Sequence, residues 1–320
     1  SLLGASFRKS FVQLLASEPA GMVSDYEGTF AELARAYQLA IVAGTAYIPD
    51  ANGVVRHRAS IFGPDGVLLG RHDKIVLSPE DQALAQPGDA WHVIATPVGR
   101  VGILLGEESL YPESGRILAY EGADILVTLA AVGDETLAAH IRNATIGRCQ
   151  DNRCFGLTSF LVGRNYMAAD EGSAPTFTGK SGIYAPLEMT PRYAGILVEI
   201  GTTESEGLLT AELDHPKLQW LWTHGGHAVR ANMPMSLFGR YLPALYGSGR
   251  SLAEAWPEET EAALTPGLTQ PTASGAAAGG EAESNGGLAP LPPEEAAQQE
   301  PLSRGQEPEP DGVEGEGEGN

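Results

Sequence analysis

The sequence predicts an α/β protein built in layers, and three observations carry this. Short β-rich runs alternate with helical patterns from residue 1 to about 228. The strands come as tandem hairpins around Asp50-Ala51-Asn52-Gly53, Pro64-Asp65-Gly66 and Val98-Gly99. ADILVTLA (123–130) reads as a buried strand between two helical segments. Hairpins interleaved with helices make sheet layers covered by helices. Both an open sheet and a two-sheet sandwich satisfy this pattern.

The elements follow in order. TFAELARAYQLA (29–40) places apolar residues at helical spacing after a Gly-Thr start. IVAGTAYI (41–48) is a strand, and the turn at 50–53 leads into VVRHRASIF (54–62). The turn at 64–66 leads into VLLGRH, and the turn residues of both hairpins fix register. WHVIATP and RVGILL (91–105) form a third hairpin. Pro112 to Glu121 is a helix with proline in its first turn, a favoured place for it. The Ala-rich ETLAAHIRNATIGRCQDN (135–152) is a helix, and CFGLTSFLV (154–162) is the next strand. GKSGIYAP, ILVEIG and LLTAELD supply further strands, and WLWTHGGH (220–227) ends a helix that packs aromatics.

Two more regions follow. Residues 229–256 form an extension containing SLFGRYLPALYG, mixed aromatic and apolar. From 257 to 320 the chain is Pro, Gly, Ala, Glu and Gln with almost no aromatic or β-branched residues. Such a segment buries too little apolar surface to offset the entropy of ordering it, so it is expected to be a disordered acidic tail.

Acids outnumber bases 41 to 20, a net charge of −21, of which residues 257–320 carry −13. An acidic surface repels phosphate backbones, which argues against nucleic acid as a partner. No run of about 18 apolar residues is present, so no membrane partner or span is expected. No basic segment followed by an apolar one opens the chain, so no signal peptide is read there. The two cysteines, Cys149 and Cys154, match no zinc spacing. They are read as buried reduced thiols in a cytoplasmic protein. No cofactor and no metal are expected.

VGILLGEESLYPESGR (101–116) resembles the nucleophile strand and elbow of the nitrilase (carbon–nitrogen hydrolase) superfamily. There an apolar strand ends in Cys, followed by an aromatic residue, an acid, Phe-Pro-Glu and Arg. Pro112, Glu113 and Arg116 match; Tyr111 stands for the Phe and Glu108 for the acid. FGPDG and GRHDK (62–74), Pro87-Gly88, YEGADILV, RCQDNRCF, GKSGIYAP and EGLLTAELD resemble further family segments in the family's order. The resemblance runs from about residue 7 to 224. It implies a four-layer αββα sandwich without the family's first strand and helix, which would precede Ser1. It also implies a homo-oligomer, a dimer or larger, paired across helices.

The family's catalytic set has a Glu general base, a Lys that offsets the oxyanion, and a nucleophilic Cys. By resemblance Lys74 is the lysine, and Gly106 stands where the cysteine would be. Aligning Gln13-Leu14-Leu15 puts Arg8 at the position of the base, the wrong sign for proton abstraction. Asp81 is the candidate for a second acid after the lysine, and Glu113 is the elbow acid. Glycine has no side chain with which to attack a carbonyl or nitrile carbon. The expectation is therefore a pseudoenzyme serving as a binding or assembly subunit. The alternative is a hydrolase of non-peptide amides, carbamoyl compounds or nitriles.

Plainer roles are open to the same residues. Lys74 can pair with Asp73 or face solvent at a strand end. Glu113 suits a helix start, with Arg116 three residues on. Adjacent strand residues point to opposite faces, so Glu107 and Glu108 are read as solvated loop acids. Ser109 lacks a Gly-x-Ser-x-Gly elbow, and Cys154 opens a buried strand. His72, His92 and His140 are read as structural or surface residues.

Overall fold

The computed structural model of the protein describes residues 19–164, 176–225 and 228–249. Arg8 and the expected tail from 257 lie outside the described residues.

Helix α1 (Pro19–Tyr37) leads into β1 (Ile41–Val42), β2 (Ala46–Pro49), β3 (Val55–Phe62) and β4 (Leu68–Asp73). β3 organises this first sheet and pairs antiparallel with β1, β2 and β4. The β2–β3 turn closes on Asp50, whose Oδ1 accepts the N–H groups of Asn52 and Val54 at 2.8 and 3.0 Å. Gly53 there sits at φ +78°, a conformation that favours glycine. Helix α1 begins ten residues before the expected Thr29. Tyr26 and Phe30 meet edge to face one turn apart, and both pack with Ala34, Ala43 and Phe62. That contact with the sheet, more than local periodicity, carries the early turns.

The second sheet comprises β5 (Val93–Thr96), β6 (Gly99–Leu105), β7 (Ile125–Ala130), β8 (Phe155–Phe160), β11 (Gly182–Tyr184) and β12 (Ile196–Glu199). Its order is β12-β11-β8-β7-β6-β5, with β6, β7 and β8 parallel and the flanking pairs antiparallel. The parallel strands are joined by α3 (Pro112–Tyr120) and α4 (Glu135–Asn152). Between the sheet strands lie a short helix α2 (Pro79–Gln82) and a two-stranded ribbon, β9 (Gly163–Arg164) with β10 (Thr176–Phe177). Helices α5 (His215–His224) and α6 (Met235–Gly247) follow.

Alternation along β6 builds the layers. Val101, Ile103 and Leu105 pack with Ala59 and Ile61 of β3, which fills the space between the two sheets. Leu104 points the other way, onto Leu118 of α3. With α1 on the outer face of the first sheet, the result is helix, sheet, sheet, helix. Burying each of these Leu, Ile or Val side chains contributes roughly 1.5–3 kcal/mol.

Two expectations fail here. LLTAELD forms no strand, and Leu208 is almost wholly exposed, so β propensity there lacks a partner to pair with. IVAGTAYI is two strands, not one: residues 43–45 break it between β1 and β2, which pair with different parts of β3. SLFGRYLPALYG, for which no element was expected, lies in a helix, α6, with Pro243 inside it. No helix among the described residues is long and apolar enough to cross a membrane.

Candidate functional site

The site forms where β4 of the first sheet meets the end of β6 in the second. Lys74 follows β4, with its N–H donating to the carbonyl of His57 at 2.8 Å. Its side chain is buried, and Nζ donates to Asp81 Oδ2 at 2.6 Å and to Glu107 Oε2 at 3.0 Å. Neither plainer role holds: Lys74 is buried, and Arg58 takes both Asp73 oxygens at 2.5 and 2.8 Å.

Asp81 sits at the third position of α2, which Ser78 caps in a reciprocal capping box. It also accepts from Tyr47 Oη at 2.5 Å and lies 3.0 Å from His57 Nδ1. Burial alone would raise its pKa, but the His57 hydrogen bond and the Lys74 charge hold the carboxyl well below the usual range. Burial also acts to lower Lys74, and the attraction of Asp81 and Glu107 outweighs it, so the ammonium is held more firmly than in water. Burial and the Asp81 contact push the Tyr47 phenol far up.

Gly106 directly follows β6 and opens a 3-10 turn (Gly106–Leu110). Its φ is +55°, and no atom lies within 4 Å of where a Cβ would project. The backbone leaves the strand here, so strand alternation no longer separates the next two side chains. Glu107 reaches Lys74. Glu108 turns inward, fully buried, 2.8 Å from His72 Nε2, and accepts the N–H groups of Leu105 and Ile75 at 2.8 and 2.7 Å. Burial would raise the Glu108 pKa, yet His72 and these backbone donors lower it. Neither acid is a solvated loop residue, and His72 is a buried partner.

A cavity of about 1140 Å³ brings Lys74, Asp81 and Gly106 together with Tyr47, His57 and Glu107. Leu129, Phe160 and Phe177 line an apolar part of it. Glu113 is not part of this group. It is exposed on α3 and accepts a hydrogen bond from Tyr246 of α6, in place of the expected Arg116. Ser109 is buried, its Oγ donating to the Gly106 carbonyl at 2.9 Å. Cys154 packs with Leu104 and Leu118, as core. Tyr47 and His57 are site residues that sequence reasoning missed. They are register partners on β2 and β3 with stacked rings, and their signal lay in hairpin pairing. Among the described residues no group of three or more His, Cys, Asp or Glu side chains is arranged to hold a metal ion.

The family model for carbon–nitrogen hydrolase matches residues 14–221. The omega-amidase NIT2 of Bos taurus is 27% identical over 196 residues, 58% of this chain and 66% of that protein. The N-carbamoylputrescine amidase of Solanum tuberosum is 25% identical over 211 residues, 62% of this chain and 68% of that protein. The chain thus spans about two thirds of these relatives. A carbon–nitrogen hydrolase structure from Helicobacter pylori G27 superimposes with a TM-score of 0.57 at 21% identity, covering 71% of this chain and 82% of that one. An amidase structure from Nesterenkonia sp. AN1 gives 0.54 at 20% identity, covering 72% and 80%. These likenesses share the layered fold, and with the family match over residues 14–221, more than half of its length, the chain belongs to the carbon–nitrogen hydrolase family.

Proposed function

We propose that this chain uses the family cavity to bind small amides or carbamoyl compounds without hydrolysing them through a thiol. One observation carries the reading. Gly106, at the position resembling the nucleophile, faces the cavity beside the Lys74–Asp81 pair and presents no side chain. Loss of a nucleophile from a catalytic unit costs on the order of 10⁶ in turnover in the best-studied protease case. The lysine is also compromised as an oxyanion stabiliser, because two carboxylates already counter its charge.

A second reading is hydrolysis of a carbon–nitrogen bond by a route that needs no cysteine. Relatives named as omega-amidase and N-carbamoylputrescine amidase favour it. The His57–Asp81–Lys74 group gives it titratable side chains in the cavity.

One experiment separates the two. Omega-amides, N-carbamoyl amines and nitriles are incubated with the protein, with ammonia release and calorimetric binding followed in parallel. Saturable binding with ammonia at the level of heat-denatured protein is the expected result. Ammonia release above that level, abolished by Lys74→Ala, establishes hydrolysis instead.

A further inference from the structure

We propose that Glu107 sets the charge class of ligand that the cavity accepts, favouring neutral or cationic amides and rejecting anionic ones. The proposal rests on the reading that the cavity binds amides. A lysine ammonium has three donors. On Lys74, Asp81 and Glu107 each take one. Asp81 is locked in place by Tyr47, His57 and Ser78 and is nearly inaccessible. Glu107 is the more open partner, its side chain 30% exposed against 5% for Lys74. Its neighbour Gly106 adds no side chain to screen it.

Lys74 is the one Lys or Arg among the described residues lining the cavity, whereas Asp81, Glu107 and Asp134 all line it. An incoming carboxylate therefore meets a cation already engaged twice and a surplus of like charge. At about 5 Å, removing one such like charge changes affinity by up to roughly 300-fold at an effective dielectric of about 20, and by roughly 10- to 20-fold where water around the part-exposed Glu107 doubles that dielectric. A neutral amide escapes this repulsion, and a ligand ammonium gains from it. Glu107 thus acts as a built-in occupant of the anion position on Lys74.

The test is calorimetric titration of the full chain with three probes of similar length: butyramide (neutral), succinamate (anionic) and 4-aminobutanamide (cationic). The wild-type protein is expected to bind succinamate at least about tenfold more weakly than butyramide. Relative to butyramide, Glu107→Gln is expected to raise succinamate affinity about tenfold or more and to weaken 4-aminobutanamide. Glu107→Ala serves as the second variant, with circular dichroism and melting confirming that each is folded. Equal wild-type affinity for succinamate and butyramide, or an unchanged ratio in both folded variants, overturns the role of Glu107 and leaves amide binding standing. Failure of every probe to bind the wild-type protein and both variants overturns amide binding and this proposal together.

Discussion

At the scale of single residues, Gly106 is the informative position. Its φ of +55° is a conformation that side-chain-bearing residues adopt at a cost of roughly 1–2 kcal/mol, but the space beside it is open. Gly106→Cys is therefore expected to fold, slightly destabilised, and to expose one thiol to alkylation. Cys149 and Cys154 are buried and should stay silent. A lone ammonium nearby would favour the thiolate, but Asp81 and Glu107 already counter Lys74. The new thiol should titrate near the ordinary value of about 8.5 and move down when Glu107→Gln is added. Alkylation rate against pH measures both. A thiol that iodoacetamide cannot reach would show that residue 106 does not face the cavity in solution.

At the scale of elements, the loop after Lys74 is held by a close backbone approach. Gly88 donates its N–H to the Lys74 carbonyl at 2.9 Å, and a Cβ on Gly88 would stand 2.3 Å from the Asp73 carbonyl oxygen. That neighbour is backbone and cannot rotate away. Gly88→Ala is expected to cost roughly 1–3 kcal/mol, read by denaturant midpoint, and to weaken ligand binding by displacing Lys74. A midpoint equal to wild type would mean that the loop adjusts freely. This region also shows what the sequence could and could not reveal. Helix α4 was legible at both ends because its signals are local: Asp134 caps its start through the Leu137 N–H at 2.6 Å, and the apolar run of β8 follows within three residues of its end at Asn152. Lys74, Asp81 and Gly106 were legible through motif resemblance, which fixes positions along the chain. The partners of Glu107 and Glu108 were not, because both depend on a 3-10 turn that ends strand alternation and on a contact between two sheets. Helix α6 was missed because Pro243 argues against a helix and its apolar side chains lie largely exposed, leaving no buried face to read.

At the scale of the whole molecule, buried charge joins the halves of the sandwich. Glu108 follows β6 of the second sheet, yet it holds His72 of β4 and the Ile75 N–H beyond it. Removing one member of a buried pair costs roughly 3–5 kcal/mol, so Glu108→Ala should lower the melting temperature by about 10 °C at neutral pH. The pH dependence follows from the direction of the shift. The folded pKa of Glu108 lies below its unfolded value, so its contribution is fully present above about pH 4.3 and is lost as pH falls through the folded pKa. Asp81, also lowered, has the same sign. Lys74 is raised, so its contribution is present below about pH 10.4 and fades only as pH climbs through the folded value. The gap in melting temperature between wild type and Glu108→Ala should thus narrow as pH falls below about 4. Calorimetric scans across that range measure it. A gap that widens on acidification would mean that Glu108 is protonated in the folded protein at neutral pH. The link between the sheets would then be a neutral hydrogen bond, and the carboxylate would not be its source.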